Sequence, residues 1–332
     1  MSKIYDSFLF FQELDLLEIR LEYLYNKVDY FIIVEAGQTF SGNKKAFNYE
    51  LNAQRFEKYN HKIIYYKIED FHDSYNSVKD FLEKNEDLSF RNIFDLLESE
   101  DHYPKDKLHW VLDSYHRNCL HIVYQKHLAD DDYIILSDLD EIPNLNYLET
   151  NFLKTLSAPT VMKQNEFMYF LNYFHNNNWF GSIVGKYKHF SKTSLNIIRT
   201  DSKSNRLIVD KNELINGGYH FTNAGGTDLI VSKIQSWGHQ EFNTKEILNR
   251  LDYNVSSGQD IFEREYGTIL RKVDINNDKF FDNEMSALLL KYPNLLINKK
   301  TIVVSKYNWY NWYRYFKHIF FKIRIKLLNK NK

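Results

Sequence analysis

The 332 residues include one cysteine, Cys119, four prolines and eleven glycines. A single thiol excludes an intramolecular disulfide framework and a cysteine-rich zinc site, and it suits a reducing compartment. No uncharged apolar run reaches the ~18 residues that a membrane-spanning helix needs, so none is expected. The apolar stretch Ile4–Phe11 is too short, and its flank too acidic, for a signal peptide. Neither G-x-x-x-x-G-K nor G-x-G-x-x-G occurs, which removes the P-loop and the glycine-rich dinucleotide fingerprint. With 43 Lys+Arg against 44 Asp+Glu, the chain has no overall positive charge with which to bind nucleic acid.

The charge is unevenly spread. Residues 306–332 carry eight basic side chains and no acidic one, which leaves 35 basic and 44 acidic residues in 1–305, a net charge of −9. In that basic tail Trp309, Trp312, Tyr313, Phe316, Phe320, Ile323 and Leu327 recur mostly at spacings of three and four. This is the pattern of an interfacial amphipathic helix suited to an anionic membrane surface. A helix docked on the acidic body would show the same pattern.

Hydrophobic residues make up 43% and charged residues 26%, enough apolar surface for a packed core. Ile4–Phe11, Val28–Ala36 and Lys62–Ile68 read as strands. Leu14, Leu17, Leu21 and Leu24 mark a helix over Glu13–Lys27, and Glu50–Tyr59 reads as a short one. Strand and helix alternating in this way predict a parallel sheet with crossovers. Asp70–Asp106 is weakly periodic and is expected to be a variable insertion or loop. Leu108–Leu128 reads as one long helix and Tyr133–Leu136 as a fourth strand. Thr160–His175 and Trp179–Phe190 read as β, and Gly226–Trp237 and Thr244–Leu251 as helices. The expected organisation is one α/β body over 1–305 and the tail over 306–332.

The chemistry centres on Y-I-I-L-S-D-L-D-E-I-P at Tyr133–Pro143. Asp138 and Asp140 follow an apolar strand, and open α/β sheets bind ligands at the carboxyl ends of their strands. Two aspartates spaced in this way can reach one hard cation, Mg²⁺ or Mn²⁺, which also binds phosphate oxygens. Such an ion can neutralise charge developing on a diphosphate leaving group. A solvated acidic turn would look the same. An EF-hand beginning at Asp138 fails, because Pro143 stands where glycine is required. An aspartyl-nucleophile phosphatase also places Asp-x-Asp after a strand, although Glu141 follows here and the motif lies mid-chain.

Four blocks resemble glycosyltransferase family 17: E-L-D-L-L-E-I-R-L-E-Y-L…V-D-Y-F-I-I-V-E-A…S-G-N-K-K within Glu13–Tyr49, W-V-L-D-S-Y-H-R-N at Trp110–Asn118, S-D-L-D-E-I-P, and G-G-Y-H-F-T-N-A-G-G…S-W-G-H-Q-E-F-N at Gly217–Asn243. The resemblance implies a GT-A-type nucleotide-diphospho-sugar transferase fold, a Rossmann-like mixed sheet flanked by helices, with a divalent metal. It implies Asp138, Asp140 and His220 as metal ligands, with Tyr219 where the family has tryptophan. Glu35 and Arg117 join Asp138 and Asp140 as donor-binding residues. His239 and Trp179 are expected at the acceptor. Asp260, Glu241 and Glu166, in that order, are candidates for the base of an inverting single displacement. The implied substrates are UDP-N-acetylglucosamine and a glycan or lipid-linked saccharide acceptor. From the single thiol and the basic amphipathic tail, which departs from the family's usual ending, the expected location is cytoplasmic, peripheral on the inner face of the plasma membrane. A metal-dependent phosphohydrolase using the same aspartates, or a non-catalytic carbohydrate-binding protein, are the alternatives.

Overall fold

The computed structural model describes residues 2–264 and 269–297, and in the tail Trp312, Tyr313, Phe316, Ile319 and Phe320. Nine strands form one mixed sheet: β1 (Ile4–Leu9), β2 (Tyr30–Ala36), β3 (Ile63–Ile68), β4 (Tyr133–Asp138), β5 (Glu141–Pro143), β6 (Thr160–Met168), β7 (Tyr173–Lys186), β8 (Leu214–Thr222) and β9 (Arg271–Lys272). Their order is β3-β2-β1-β4-β7-β6-β8-β5, with β9 paired to β7. The first four are mutually parallel. β7 runs antiparallel to β4.

The parallel strands are mainly apolar because both faces are covered, with Asp6, Ser7, Glu35 and Ser137 as buried polar exceptions. In β2, Phe31 and Ile33 enter one core cluster while Ile32 and Val34 enter another. In β4, Tyr133 and Ile135 divide from Ile134 and Leu136 in the same way. The helix Leu14–Leu24 and the 3₁₀ segment Ala53–Lys62 cover the first face, burying Leu17, Leu21, Phe56 and Tyr59. Among the described residues five helices contribute to the second: Tyr75–Lys84, Leu88–Ser99, Leu108–Asn118, Leu120–His127 and Leu195–Lys203.

Two expectations are corrected. Asp70–Asp106 is not a loop: its two helices bury Val78, Leu82, Ile93 and Leu97 against the sheet. Ser74 and Asp87 cap them by accepting from the Ser77 and Ser89 backbone N–H groups. Leu108–Leu128 is not one helix but two, divided at buried Cys119.

The chain passes from β1 to β2 and β3 on one side, then crosses back to place β4 on the other side of β1. The strand order therefore reverses between β1 and β4, where Leu9 pairs with Asp138 at their carboxyl ends. A crevice opens at such a point because the flanking connections leave in opposite directions.

A third cluster lies beyond it. Ile230 and Ile234 of the helix Thr227–Ser236 pack with Leu251 and Val255 of Lys245–Ser257 around Met168 and Tyr169. No helix among the described residues is long and apolar enough to cross a membrane. The five described tail residues are helical, with Trp312, Tyr313, Phe316 and Phe320 exposed. The rest of the basic tail lies outside the described residues.

Candidate active site

The acidic turn after β4 is built on Arg20, from the helix Leu14–Leu24. Its guanidinium is fully buried, pairs with Asp6 at 2.6 and 2.7 Å, and donates to the carbonyls of Asp138, Leu139 and Glu141 at 2.9, 3.0 and 2.9 Å. Three carbonyls converging on one cation fix the turn that presents Asp138 and Asp140. From the other side β8 presses on β5, pairing Glu141 with His220. Gly218 permits this: its φ is +127°, and a Cβ there would stand 2.1 Å from the Ile142 carbonyl oxygen.

Asp138 sits between two arginines. Oδ1 accepts from Arg117 Nη1 at 2.8 Å and Oδ2 from Arg199 Nη2 at 2.6 Å. Arg199 also grips buried Glu141 at 2.7 and 3.0 Å. Burial works against ionisation of both acids, but Arg199 and the neighbouring cations more than offset it, so both carboxyls are held well below the usual range. Arg117 reaches back one helical turn to Asp113 at 3.1 Å.

Asp140 has different neighbours. Oδ2 accepts from Lys233 Nζ at 2.9 Å, and Lys233 also pairs with Glu13 at 3.2 Å. Oδ1 faces His220 Nε2 at 3.7 Å. The His220 ring stacks on Trp179 with centroids 4.2 Å apart. Its Nδ1 is buried without a hydrogen bond, 3.6 Å from Glu166 Oε1.

This donor set bears on the expected metal. A carboxylate oxygen and an imidazole nitrogen facing each other, with a carboxylate behind the imidazole, suit a hard dication that takes its remaining ligands from water and substrate oxygens. Asp140 and His220 fit that role. Asp138 does not, because both its oxygens are taken by guanidinium groups. Among the described residues no three His, Cys, Asp or Glu side chains converge. The fit is therefore to a site with two protein ligands rather than the three expected.

Asp138, Asp140, Arg117 and His220 line one cleft of about 810 Å³ at the end of β1 and β4. Its opposite wall is apolar, with Val34, Ala36, Phe40 and Trp110. His116, beside Phe40, is pushed down to about 3 by burial, so it adds no charge to this wall at neutral pH.

Other expected residues lie elsewhere or are engaged. Glu35 is fully buried, accepting from Lys45, the Asn48 and Tyr49 N–H groups and Tyr65; it caps the loop after β2 rather than facing the cleft. Asp260 is buried and accepts from the Phe262 and Arg264 N–H groups and the Arg264 guanidinium. Glu166 is bound by His175 at 2.6 Å and Asn176 at 2.8 Å. Neither acid is placed to take a proton from a substrate in the cleft. Glu241 is exposed and bonded at 2.8 Å to His239, which lines the cleft. Trp179 lines it too, but its ring is covered by His220 and by the Lys203 ammonium, and its Nε1 donates to Glu141 at 2.8 Å. An acceptor sugar would compete with these contacts for its ring.

Sequence reasoning missed Arg20, Arg199, Lys203 and Lys233. Arg20 lies inside the first block and Lys233 inside the fourth, but nothing in the spacing distinguishes them from surface cations. Arg199 and Lys203 lie on the helix Leu195–Lys203, outside every block.

The model of glycosyltransferase family 17 matches residues 1–94. No curated protein matches in sequence. Among solved structures, HddC from Yersinia pseudotuberculosis is similar at 10% identity over 67% of this chain and 91% of its own, with a TM-score of 0.27, too weak a likeness to carry any argument. The matched 94 residues supply Arg20, Glu13 and the strands β1 to β3; β4, with Asp138 and Asp140, lies outside them. Over residues 1–94 the chain is thus similar to glycosyltransferase family 17, and that match supports a glycosyltransferase function.

Proposed function

We propose that the chain transfers a sugar from a nucleoside diphosphate, UDP-N-acetylglucosamine, to a hydroxyl of a saccharide acceptor with inversion. The observation that carries this reading is the cleft at the β1–β4 reversal, floored by Asp138 between Arg117 and Arg199. A polar floor of ion-paired arginines beside an apolar wall suits a ligand with a diphosphate at one end and a ring at the other. The choice of uridine and N-acetylglucosamine rests on the family resemblance alone.

In this reading Arg117 and Arg199 offset charge that accumulates on the departing diphosphate. Asp140 and His220 would hold a divalent cation, which when bound would supply further neutralisation there. Glu241 accepts the acceptor hydroxyl proton, with His239 positioning it. Of the three acids considered for this role, it alone is exposed beside the cleft. An aspartyl-phosphate route is disfavoured, because both Asp138 oxygens are held by guanidinium groups.

The tail places the enzyme on an anionic, cytoplasmic membrane face, near a lipid-linked or surface-polysaccharide acceptor. Exposed Trp312, Tyr313, Phe316 and Phe320, with cations between them, support this. Deletion of residues 308–332 is expected to abolish binding to anionic liposomes; unchanged binding refutes it. For the reaction, thermal shift against a panel of nucleotide sugars with and without Mn²⁺ is decisive. Stabilisation by a UDP-sugar that grows with metal is expected. Indifference to every nucleotide overturns the transferase reading.

A further inference from the structure

Five cations line the cleft: Lys45, Arg117, Arg199, Lys203 and Lys233. Four have carboxylate partners within the chain. Lys45 pairs with Glu35, Arg117 with Asp113 and Asp138, Arg199 with Asp138 and Glu141, and Lys233 with Asp140 and Glu13. Among the described residues Lys203 pairs with no carboxylate. Its ammonium sits 4.4 Å from the centre of the Trp179 ring.

The position is a built one. Lys203 ends the helix Leu195–Lys203 one turn after Arg199, so both side chains leave the same helix face. Ser194 caps that helix through the Asn196 and Ile197 N–H groups, and Asn118 accepts from the Leu195 N–H at 2.9 Å. Trp179 is itself fixed by its bond to Glu141 and its stack on His220. An indole so held keeps a lysine head group from swinging into bulk water.

We infer that Lys203 is the contact for the terminal phosphate of the nucleoside diphosphate. The neighbouring guanidinium groups divide their charge between Asp138, Glu141 and any incoming oxyanion, whereas this ammonium has no carboxylate partner among the described residues and can give its charge to a phosphate undivided. An ammonium binds phosphate as a point charge with three donors, so it needs no preset fork. The inference rests on the nucleotide-sugar reading and adds to it a residue on which that reading does not depend.

The test is calorimetric. The full chain is titrated with uridine, guanosine, cytidine, thymidine and adenosine diphosphates and their monophosphates at fixed salt, and the ratio of diphosphate to monophosphate affinity is taken for the best base. In Lys203→Ala that ratio is expected to fall about tenfold or more, while monophosphate affinity and melting temperature stay near wild type. Lys203→Arg is expected to keep the ratio within about threefold. An unchanged ratio in Lys203→Ala overturns the inference, as does a wild-type chain that binds both nucleotides equally. A wild-type chain that binds no nucleotide overturns the nucleotide-sugar reading itself, a separate and recognisable outcome.

Discussion

Arg20 and Asp6 form a bidentate ion pair, with neither side chain exposed, directly beneath the turn that carries Asp138 and Asp140. The same guanidinium collects three carbonyls of that turn. Removing it leaves the buried Asp6 carboxylate without its partner and takes a donor from three carbonyls, of which Glu141 keeps Ser182 Oγ at 2.9 Å. Arg20→Met should therefore cost about 3–5 kcal/mol, read as a lowered midpoint in urea denaturation with the slope unchanged. Nucleotide binding should be lost with it, because the turn no longer holds its shape.

Lys233 sits where a dication would compete for Asp140. Burial opposes its charge, but Asp140 and Glu13 more than offset that and hold the ammonium well above its ordinary range. Lys233→Met should tighten Mn²⁺ binding severalfold, and Asp140→Asn should abolish it. Titration calorimetry with Mn²⁺ in the presence of UDP checks both. Unchanged Mn²⁺ affinity in Asp140→Asn would contradict the two-ligand site.

The fold carries a pH limit of its own. Burial pushes His116 down to about 3 and His121 down to about 4, against about 6.5 in an unfolded chain. As pH falls, the unfolded chain takes up these protons first. Their contribution is complete above about pH 6.5 and declines below it, at roughly 2.7 kcal/mol per pH unit for the pair between about pH 6 and 4. Chemical denaturation across that range measures the slope. His121→Gln should roughly halve it.

Three carboxylates considered as the base separate experimentally. Asp260→Asn keeps one acceptor oxygen but turns the other into an NH2 group facing N–H donors and removes the charge that pairs with Arg264, so it should lower the melting temperature and leave the shape of the pH–rate profile unchanged. Glu166→Gln should behave similarly through His175. Glu241→Gln should lower kcat by about a hundredfold or more with KM little changed. A hundredfold loss of kcat in Asp260→Asn, with its fold intact, would reverse the assignment.

Much of the architecture was legible because its signals are local. The apolar runs Ile4–Phe11 and Val28–Ala36 lie within one or two residues of strands buried on both faces. The helices of Asp70–Asp106 escaped notice because their apolar positions are few and spaced among charges, although Val78 and Leu82 stand four apart. The position of Asp138 after a strand was readable; its capture by Arg199 was not, because 61 residues separate them. Glu35 illustrates the opposite failure. A strand-end carboxylate that faces a ligand and one that caps the next loop look identical in sequence, and only the four donors around it distinguish them.

The most direct test is a crystal structure of the chain soaked with UDP-N-acetylglucosamine and Mn²⁺. The account predicts the diphosphate at the mouth between Leu9 and Asp138, within reach of Arg117, Arg199 and Lys203, and the ion on Asp140 and His220. A nucleotide bound on any other surface, with this cleft unchanged, would contradict it.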